Sequence, residues 1–321
     1  MERFVVGTGR CGSTLLSSML AQHADVVSLN EFLVGLDPVR RFAPGPVSGE
    51  ALAALIGADQ PIATAVLAAG YVPAEVSYPF ASRTARHQLG EPMPWLSVAM
   101  LGWLTDDPDS WLDELVETAR RRPTASMADH YRALFRHLTE RAGGKTWIER
   151  SGTSIDYVGE LAAMYPDARF LHLHRDGCET ALSMRDHPAF RPAVAGAMNL
   201  AADEADPRKA VRRLLATPPP LWAVGRFWSE RVIRGFRTLS ALDRDQLMQV
   251  RFEDVVCRTA DTLGRIAEFF ELDDDPDFAA RASSLVRGLP PSRLAALTPS
   301  EQDELRQACR PGQVLLGRAD C

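Results

Sequence analysis

The glycine-rich segment Gly7–Thr14 carries the clearest chemical pattern in this chain of 321 residues. It lies between an apolar run, residues 4–6, and a run whose apolar side chains recur at helical spacing, residues 15–20. A strand that turns through glycines into a helix presents free backbone N–H groups and the positive end of the helix dipole to an anion. The segment therefore predicts a phosphate-binding loop.

The loop departs from the nucleotide triphosphatase pattern at one position. Its spacing, G-x-x-x-x-G followed by two residues, is that of a P-loop, but Ser13 stands where the lysine that reaches the β- and γ-phosphates is expected. The nearest cation is Arg10, whose planar guanidinium suits an oxyanion group such as a phosphosulfate. The loop is therefore poorly equipped for ATP.

A second strand, turn and helix are predicted further along the chain. The apolar run 170–174 ends at Arg175, and Ser183 lies on the helix that follows. In a doubly wound parallel sheet such turns lie at the carboxyl edge, where ligands bind. Arg175 and Ser183 are therefore candidates for a second anion site on the same edge.

The order of the apolar runs predicts the elements that position these residues. Residues 3–35 form a first strand-helix-strand unit, whereas residues 36–140 lack that order and are expected to form a helical insertion that caps the sheet, ending in a helix over 127–141. Residues 186–221 are rich in Pro, Arg and Ala and predict a lid. We expect one α/β domain over 1–321, three-layered, with a central parallel sheet.

Composition argues against several classes of partner. The formal net charge is -6 and no basic stripe follows a helix, so we expect no nucleic acid. The five cysteines are odd in number and lack C-x-x-C spacing, which argues against a disulfide framework and a zinc site. No stretch approaches the length of a membrane span and no leader pattern is present, so we expect a cytoplasmic protein.

Three blocks of the sequence together resemble the PAPS-dependent sulfotransferases, P-loop-like enzymes that use 3′-phosphoadenosine 5′-phosphosulfate (PAPS). Gly9–Thr14 resembles their phosphosulfate loop, in the R-S-G-T-T form of the protein-tyrosine branch. Arg175-Asp176-Gly177 with Ser183 resembles their 3′-phosphate motif. Val250–Val256 resembles their late V-x-Y-E-D-L strand, with Phe252 where Tyr is common. The three blocks lie in the expected order.

The resemblance implies a P-loop NTPase-like sulfotransferase fold, PAPS as the donor, PAP as its product and no metal. A hydroxyl-bearing small molecule, sugar or lipid is the implied acceptor, with a peptide tyrosine also open. The residues implied to hold the phosphosulfate are Gly9, Arg10, Cys11, Gly12, Ser13 and Thr14, and those implied to hold the 3′-phosphate are Arg175 and Ser183.

The resemblance also implies the catalytic groups. Glu31, which follows the second predicted strand, is expected to be the general base that takes the proton of the acceptor hydroxyl. Arg150 falls on the position of a catalytic lysine, counted back from the run 165–170, and is expected, with Arg10, to stabilise charge on the bridging oxygen. The position of Cys11 near a helix N-terminus predicts an acidic thiol.

Two other functions stay open from the sequence. A P-loop kinase would use ATP, but it would need the lysine that Ser13 replaces. A non-catalytic binder of PAPS or PAP would keep both anion sites and need no base, so Glu31 separates it from an enzyme. His172 and His174 are predicted to be core histidines rather than bases. The tryptophans are predicted mainly to be core residues, and Trp95 and Trp103 are the candidates among them for a wall of an acceptor pocket.

Overall fold

A five-stranded parallel sheet forms the centre of the molecule, in a computed structural model that describes residues 1–200 and 207–318. The strand order is β2-β3-β1-β4-β5, and every neighbouring pair is parallel. The strands are β1 Arg3–Val6, β2 Val26–Asn30, β3 Thr146–Arg150, β4 Arg169–His174 and β5 Leu247–Arg251. The predicted α/β class with a central parallel sheet is confirmed.

Helices connect the strands and cover the sheet. They are α1 Ser13–Leu20, α2 Gly49–Ile56, α3 Pro61–Ala68, α4 Trp95–Ala99, α5 Pro108–Arg120, α6 Met127–Arg141, α7 Val158–Met164, α8 Gly177–Asp186, α9 Phe190–Ala197, α10 Pro207–Ala216, α11 Leu221–Leu239, α12 Phe252–Cys257, α13 Thr259–Phe269, α14 Phe278–Ser283 and α15 Pro299–Leu315. Single 3₁₀ turns cover Leu101–Trp103, Ser154–Tyr157 and Leu294–Ala296.

The side chains of the sheet alternate between two apolar layers, because successive residues of a strand point to opposite faces. On one face Phe4, Trp147 and Phe170 pack into the core that α5, α6 and α7 complete. On the other face Val5 and Leu171 pack with the apolar sides of α1 and α13. The sheet therefore lies between two helical layers, as the three-layer prediction requires.

The insertion is helical, as predicted, and contains α2 to α6. The helix expected over 127–141 is α6: the Ser126 side chain caps its N-terminus by accepting from the N–H of Asp129, and Gly143 with φ 79° lies just beyond its end. Helices α5 and α6 pack on the sheet, whereas α3, α4 and the loops around them extend over its carboxyl edge. This second part of the insertion can therefore reach a ligand at that edge.

Some predicted features are left untested by the structure. Residues 186–221 contain α9 and α10, but residues 201–206 lie outside the described part of the chain, so the lid stays a prediction. Cys321 also lies outside the described residues. The single-domain organisation also stays a prediction. Among the described residues, no helix is both long and apolar enough to cross a bilayer.

Candidate functional site

The glycine loop joins β1 to α1 through a left-handed backbone. Gly9 has φ 77°, Arg10 φ 56° and Gly12 φ 92°. A Cβ on Gly12 would lie 2.1 Å from the ring of Phe252, and one on Gly9 would lie 2.7 Å from the carbonyl oxygen of Gly152, so both positions require glycine. Gly12 is the N-cap of α1 and offers no side-chain cap, which leaves the first N–H groups of the helix available to an anion.

A cavity of about 490 Å³ opens beside this loop, at the carboxyl edge of the sheet. The predicted site residues, apart from Cys11, line it together: Gly9, Arg10, Gly12, Ser13, Thr14, Glu31, Arg150, Arg175 and Ser183. They come from the segments that follow β1, β2 and β4, from the end of β3, and from α8. The parallel order of the strands brings these segments to one edge.

The prediction of an acidic thiol at Cys11 is wrong. The Cys11 side chain lies in the core beneath α1, and burial raises the pKa of its thiol. A Cβ on Gly7 would lie 2.8 Å from the Cys11 sulfur, so the thiol points back toward the start of the loop rather than into the cavity. A ligand can meet only the backbone of this residue.

Arg10 crosses between the two predicted anion sites. Its Nε donates to the Ser183 hydroxyl at 3.2 Å, and its guanidinium forms an ion pair with Glu75. The other oxygen of Glu75 lies 3.1 Å from His187 Nε2. Burial alone would raise the pKa of the Glu75 carboxyl, but the hydrogen bond from His187 and the charge of Arg10 outweigh it and hold that pKa at about 2. Glu75 is therefore a carboxylate at neutral pH.

Arg175 lies directly beyond β4 and is supported by the block that begins at Phe252. Its guanidinium carbon lies 5.0 Å above the centre of the Phe252 ring, a cation–π contact, and its Nη2 lies 3.9 Å from Glu179. The same ring packs against Gly12. Burial lowers the pKa of the Arg175 guanidinium, whose ordinary value leaves it charged nonetheless. Phe252 thus joins the loop to Arg175.

Glu31 and Arg150 form a buried ion pair at the ends of the neighbouring strands β2 and β3. Their side chains are 6% and 3% exposed. The second oxygen of Glu31 accepts from the N–H of Gly152 at 2.9 Å, and Arg150 also donates to Asn30 Oδ1 at 3.3 Å. The backbone of Glu31 is left-handed, with φ 57°. Arg150 is therefore a buried residue whose ion-pair partner is Glu31.

Glu149 lies behind the ion pair and outside the cavity. Its Oε1 accepts from the Ser151 hydroxyl at 2.5 Å, and Oε2 has no partner within the described residues. Burial raises the pKa of Glu149 to about 8; the Ser151 hydrogen bond opposes this shift, and the charge of Glu31 adds to it. Glu149 is therefore largely a neutral acid at pH 7, beside a charged Glu31.

His172 and His174 are core residues, as predicted. Neither lines the cavity, and both are buried. Burial lowers the pKa of His172 to about 4; burial, with the charges of His172 and Arg318, lowers that of His174 to about 3. Both imidazoles are therefore neutral near pH 7.

Four ionisable residues of the cavity were not predicted from the sequence. Glu75 and His187 are paired with each other beside the loop. Arg231 of α11 also lines the cavity and is held by Asp156 at 3.0 Å. Arg293, just before the 3₁₀ turn Leu294–Ala296, lines it too. None of the four lies in a motif, so only the packing of the long loops and of α11 could have identified them.

The part of the cavity that the insertion lines is mainly apolar, apart from Gln60 and Glu75. Trp95 lines it as predicted, whereas Trp103 does not and is 45% exposed. The indole N–H of Trp95 donates to the carbonyl oxygen of Glu31 at 2.5 Å. This bond ties the apolar wall to the backbone of the predicted base.

Solved structures of sulfotransferases are similar to this chain. A sulfotransferase domain from the curacin biosynthetic pathway is 14% identical, with 95% of this chain and 96% of that chain covered and a TM-score of 0.48. The sulfotransferase from Alicyclobacillus acidocaldarius is 17% identical, with coverages of 98% and 94% and a TM-score of 0.47. Mouse sulfotransferase SULT7A1 complexed with PAP is 10% identical, with coverages of 99% and 88% and a TM-score of 0.44.

A search of curated proteins gives no significant match. The profile of the sulfotransferase family matches residues 85–276, which is more than half of the 321 residues. The matched segment contains Arg150, Arg175 and Ser183, three of the residues that line the cavity. It therefore spans the second predicted anion site, and by this match the chain belongs to the sulfotransferase family.

Proposed function

We propose that this sulfotransferase moves a sulfuryl group from PAPS to a hydroxyl acceptor, with Glu31 as the general base. The observation that carries the proposal is that the residues of two candidate anion sites line one cavity. The loop with Arg10 would form the first site and Arg175 with Ser183 the second, and a hydrogen bond from Arg10 to Ser183 joins the two sets of residues. A donor with separate 5′ and 3′ anionic groups fits this arrangement better than a nucleotide with a single phosphate chain.

The donor would lie along the carboxyl edge of the sheet. The free N–H groups of α1, the Ser13 and Thr14 hydroxyls and Arg10 would hold the 5′-phosphosulfate. Arg175 and Ser183 would hold the 3′-phosphate, which PAPS has and ATP lacks. The ion pair of Arg10 with Glu75 would have to open or shift, because the phosphosulfate needs the same guanidinium.

The transfer step needs a proton acceptor and positive charge at the leaving group. The acceptor oxygen forms a bond to sulfur, the bond between sulfur and the bridging oxygen breaks, and PAP leaves with the electron pair. Glu31 would accept the hydroxyl proton, and its ion pair with Arg150 would hold its side chain in place at the cavity. Arg10 and Arg150 line the same cavity and would stabilise the charge that develops on the departing phosphate.

The rival functions predict different ligands. A P-loop kinase would be stabilised most by ATP with Mg²⁺, and Ser13 stands in place of the lysine it needs. A non-catalytic binder would hold PAP without turning over PAPS, and it would have no use for a carboxylate directed into the cavity at Glu31.

A two-part experiment tests the proposal. Thermal unfolding with PAP, ADP and ATP plus Mg²⁺ should show the largest stabilisation with PAP, because a ligand raises stability in proportion to how tightly it binds the folded state. Incubation with PAPS and a panel of hydroxyl compounds should then release PAP and give a sulfated product by mass spectrometry. Equal or greater stabilisation by ATP plus Mg²⁺ would contradict the donor assignment.

A further inference from the structure

The two ends of the cavity differ sharply in chemistry. The donor end carries Arg10, Arg150, Arg175 and the loop hydroxyls. The opposite arm is lined mainly by apolar side chains from α3, α4 and the loop between them: Ala63, Val66, Val76, Trp95, Val98 and Ala99. We call this part of the cavity the apolar arm.

The insertion adds few polar groups to the arm. Gln60 uses its side-chain oxygen to accept from the N–H groups of Ile62 and Ala63, at 2.8 and 3.1 Å, which leaves its NH₂ group for a ligand. Glu75 uses one oxygen for Arg10 and the other for His187. A sugar would bury several hydroxyls here with too few partners, and each buried hydroxyl without a hydrogen bond weakens binding.

Charge narrows the class of acceptor further. Glu75 is ionised, because the pKa of its carboxyl is held at about 2, and it is a charged side chain that the insertion contributes to the cavity. An acidic acceptor would lose its own hydration against an apolar wall, and the charged side chain that the insertion adds there, although paired with Arg10 and His187, is itself a carboxylate and offers it no positive partner. The arm therefore disfavours both polyhydroxylated and anionic compounds.

Trp95 sets where the reacting hydroxyl would lie. Its ring packs on Gly35, where a Cβ would fall 2.0 Å from the indole, and its N–H holds the carbonyl oxygen of Glu31. Trp95 and Glu31 line the same cavity, so a flat or aliphatic body against this ring would place a hydroxyl group within the part of the cavity that Glu31 lines. The tight fit at Gly35 keeps the ring from turning away.

From these contacts we infer that the acceptor is an uncharged alcohol or phenol with a hydrocarbon body, bound in the apolar arm with its hydroxyl at Glu31. This inference rests on the proposed function, because it takes the cavity to be the sulfuryl-transfer site. It assigns the arm to the acceptor, and it excludes sugars and acidic peptides as preferred substrates.

Matched hydroxyl probes test the inference on the full-length protein. β-Naphthol and decanol represent the proposed class, methyl glucoside a polyol, and hydroxynaphthoate the naphthol with an added charge. Calorimetry on the protein saturated with PAP should show binding of β-naphthol or decanol. Hydroxynaphthoate should bind at least about tenfold more weakly than β-naphthol, and methyl glucoside should not saturate.

A matched pair of variants places the bound probe. Ala63→Asp adds a charge to the arm in the first turn of α3, where a carboxylate suits the helix dipole, and Ala68→Asp adds the same charge at an exposed position of that helix outside the cavity lining. Ala63→Asp should weaken the apolar probes about tenfold or more and leave PAP affinity unchanged. Ala68→Asp should change neither affinity, and unchanged PAP binding shows that both variants are folded.

The outcomes separate the inference from the function beneath it. If PAP does not bind the wild-type protein, the proposed function fails. If PAP binds but neither apolar probe does, if methyl glucoside or hydroxynaphthoate binds as well as β-naphthol, or if Ala63→Asp leaves the probes unaffected, the acceptor class is wrong and the proposed function is not contradicted.

Discussion

The donor end and the apolar arm are built in different ways. The donor end consists of short segments that follow strands of the sheet, so its arginines and backbone N–H groups are fixed by the core itself. The arm consists of helices and loops of the insertion, which lie over the sheet edge rather than within the sheet. The carboxyl edge of the sheet can keep one site for the donor while the sequence of the insertion varies and changes which acceptor fits. Motifs at the strand ends therefore predict the donor and not the acceptor.

Few described contacts join the two ends, and they involve the residues proposed for chemistry. Glu75 of the insertion pairs with Arg10 of the loop, and Trp95 holds the backbone of Glu31. The following variants test whether the two ends are as separate as their construction indicates.

The largest effect is expected from Glu31→Gln. Removing the proton acceptor should reduce the rate of PAP release from PAPS and acceptor by about 10²–10⁴-fold, while PAP affinity changes little. Steady-state kinetics and calorimetry measure the two quantities. Glu50→Gln, which alters an exposed carboxyl paired with Arg120, is the matched control and should leave both unchanged. Normal turnover by Glu31→Gln would remove this residue from the mechanism.

Arg175→Gln should separate the two anion sites within the donor end. Loss of a charged partner at the 3′-phosphate should weaken PAP roughly 10- to 100-fold and ADP only slightly, since ADP has no 3′-phosphate. Calorimetric titration with both nucleotides measures the ratio. Arg306→Gln, at an exposed arginine of α15, should leave both affinities alone. Equal losses for PAP and ADP would place Arg175 elsewhere on the donor.

Glu75→Gln tests the contact that crosses between the ends. If Glu75 competes with the donor for Arg10, removing its charge should tighten PAP binding by roughly fivefold, as expected for a partly exposed ion pair worth about 1 kcal/mol. Glu75 itself should stay ionised from pH 5 to 9, because its pKa is about 2, so its own titration adds no pH dependence to the gain. Glu91→Gln, in the same loop, is the control. Weaker PAP binding would mean that Glu75 positions Arg10 instead.

The smallest effect on the site is expected from Glu149→Gln, because Glu149 lies outside the cavity, behind the Glu31–Arg150 ion pair. The pKa of Glu149 is raised from 4.5 to about 8, so between these pH values the folded state binds a proton that the unfolded state has released. The contribution of this carboxyl to stability is full below pH 4.5 and is lost as the pH rises to about 8. The variant should melt several degrees higher than wild type at pH 8 and nearly with it at pH 4.5. An equal difference at both pH values would contradict the buried neutral acid.

The donor end could be predicted from the sequence because its signals are local. A strand, a glycine turn and a helix are encoded within Gly7–Leu20, and the carboxyl edge of a parallel sheet brings Arg175 to the same place. The support that Phe252 gives to both was not predicted, although the block around it was singled out. Ring packing against Gly12 depends on how α12 turns away from β5, which no local pattern encodes.

The apolar arm could be predicted only as part of a helical region. Glu75 lies 65 residues from Arg10 in sequence, in a loop without periodicity, and its pairing follows from how that loop folds over the edge. Trp95 was a candidate for the pocket wall because it is a large aromatic residue in a segment that the three sulfotransferase-like blocks do not cover. Trp103 was chosen for the same reason, but it is exposed. Side-chain direction in short helices depends on tertiary packing, so the sequence could not separate the two.

The left-handed backbone at Arg10 and Glu31 has a consequence for engineering. Side chains other than glycine are strained in this conformation by about 1 kcal/mol, and glycine is not. A screen that rewards heat resistance alone would therefore favour glycine at the two positions where the proposed chemistry needs a cation and a carboxylate. Directed evolution of this protein for stability has to hold both positions fixed, or it will select robust folds that have lost their activity.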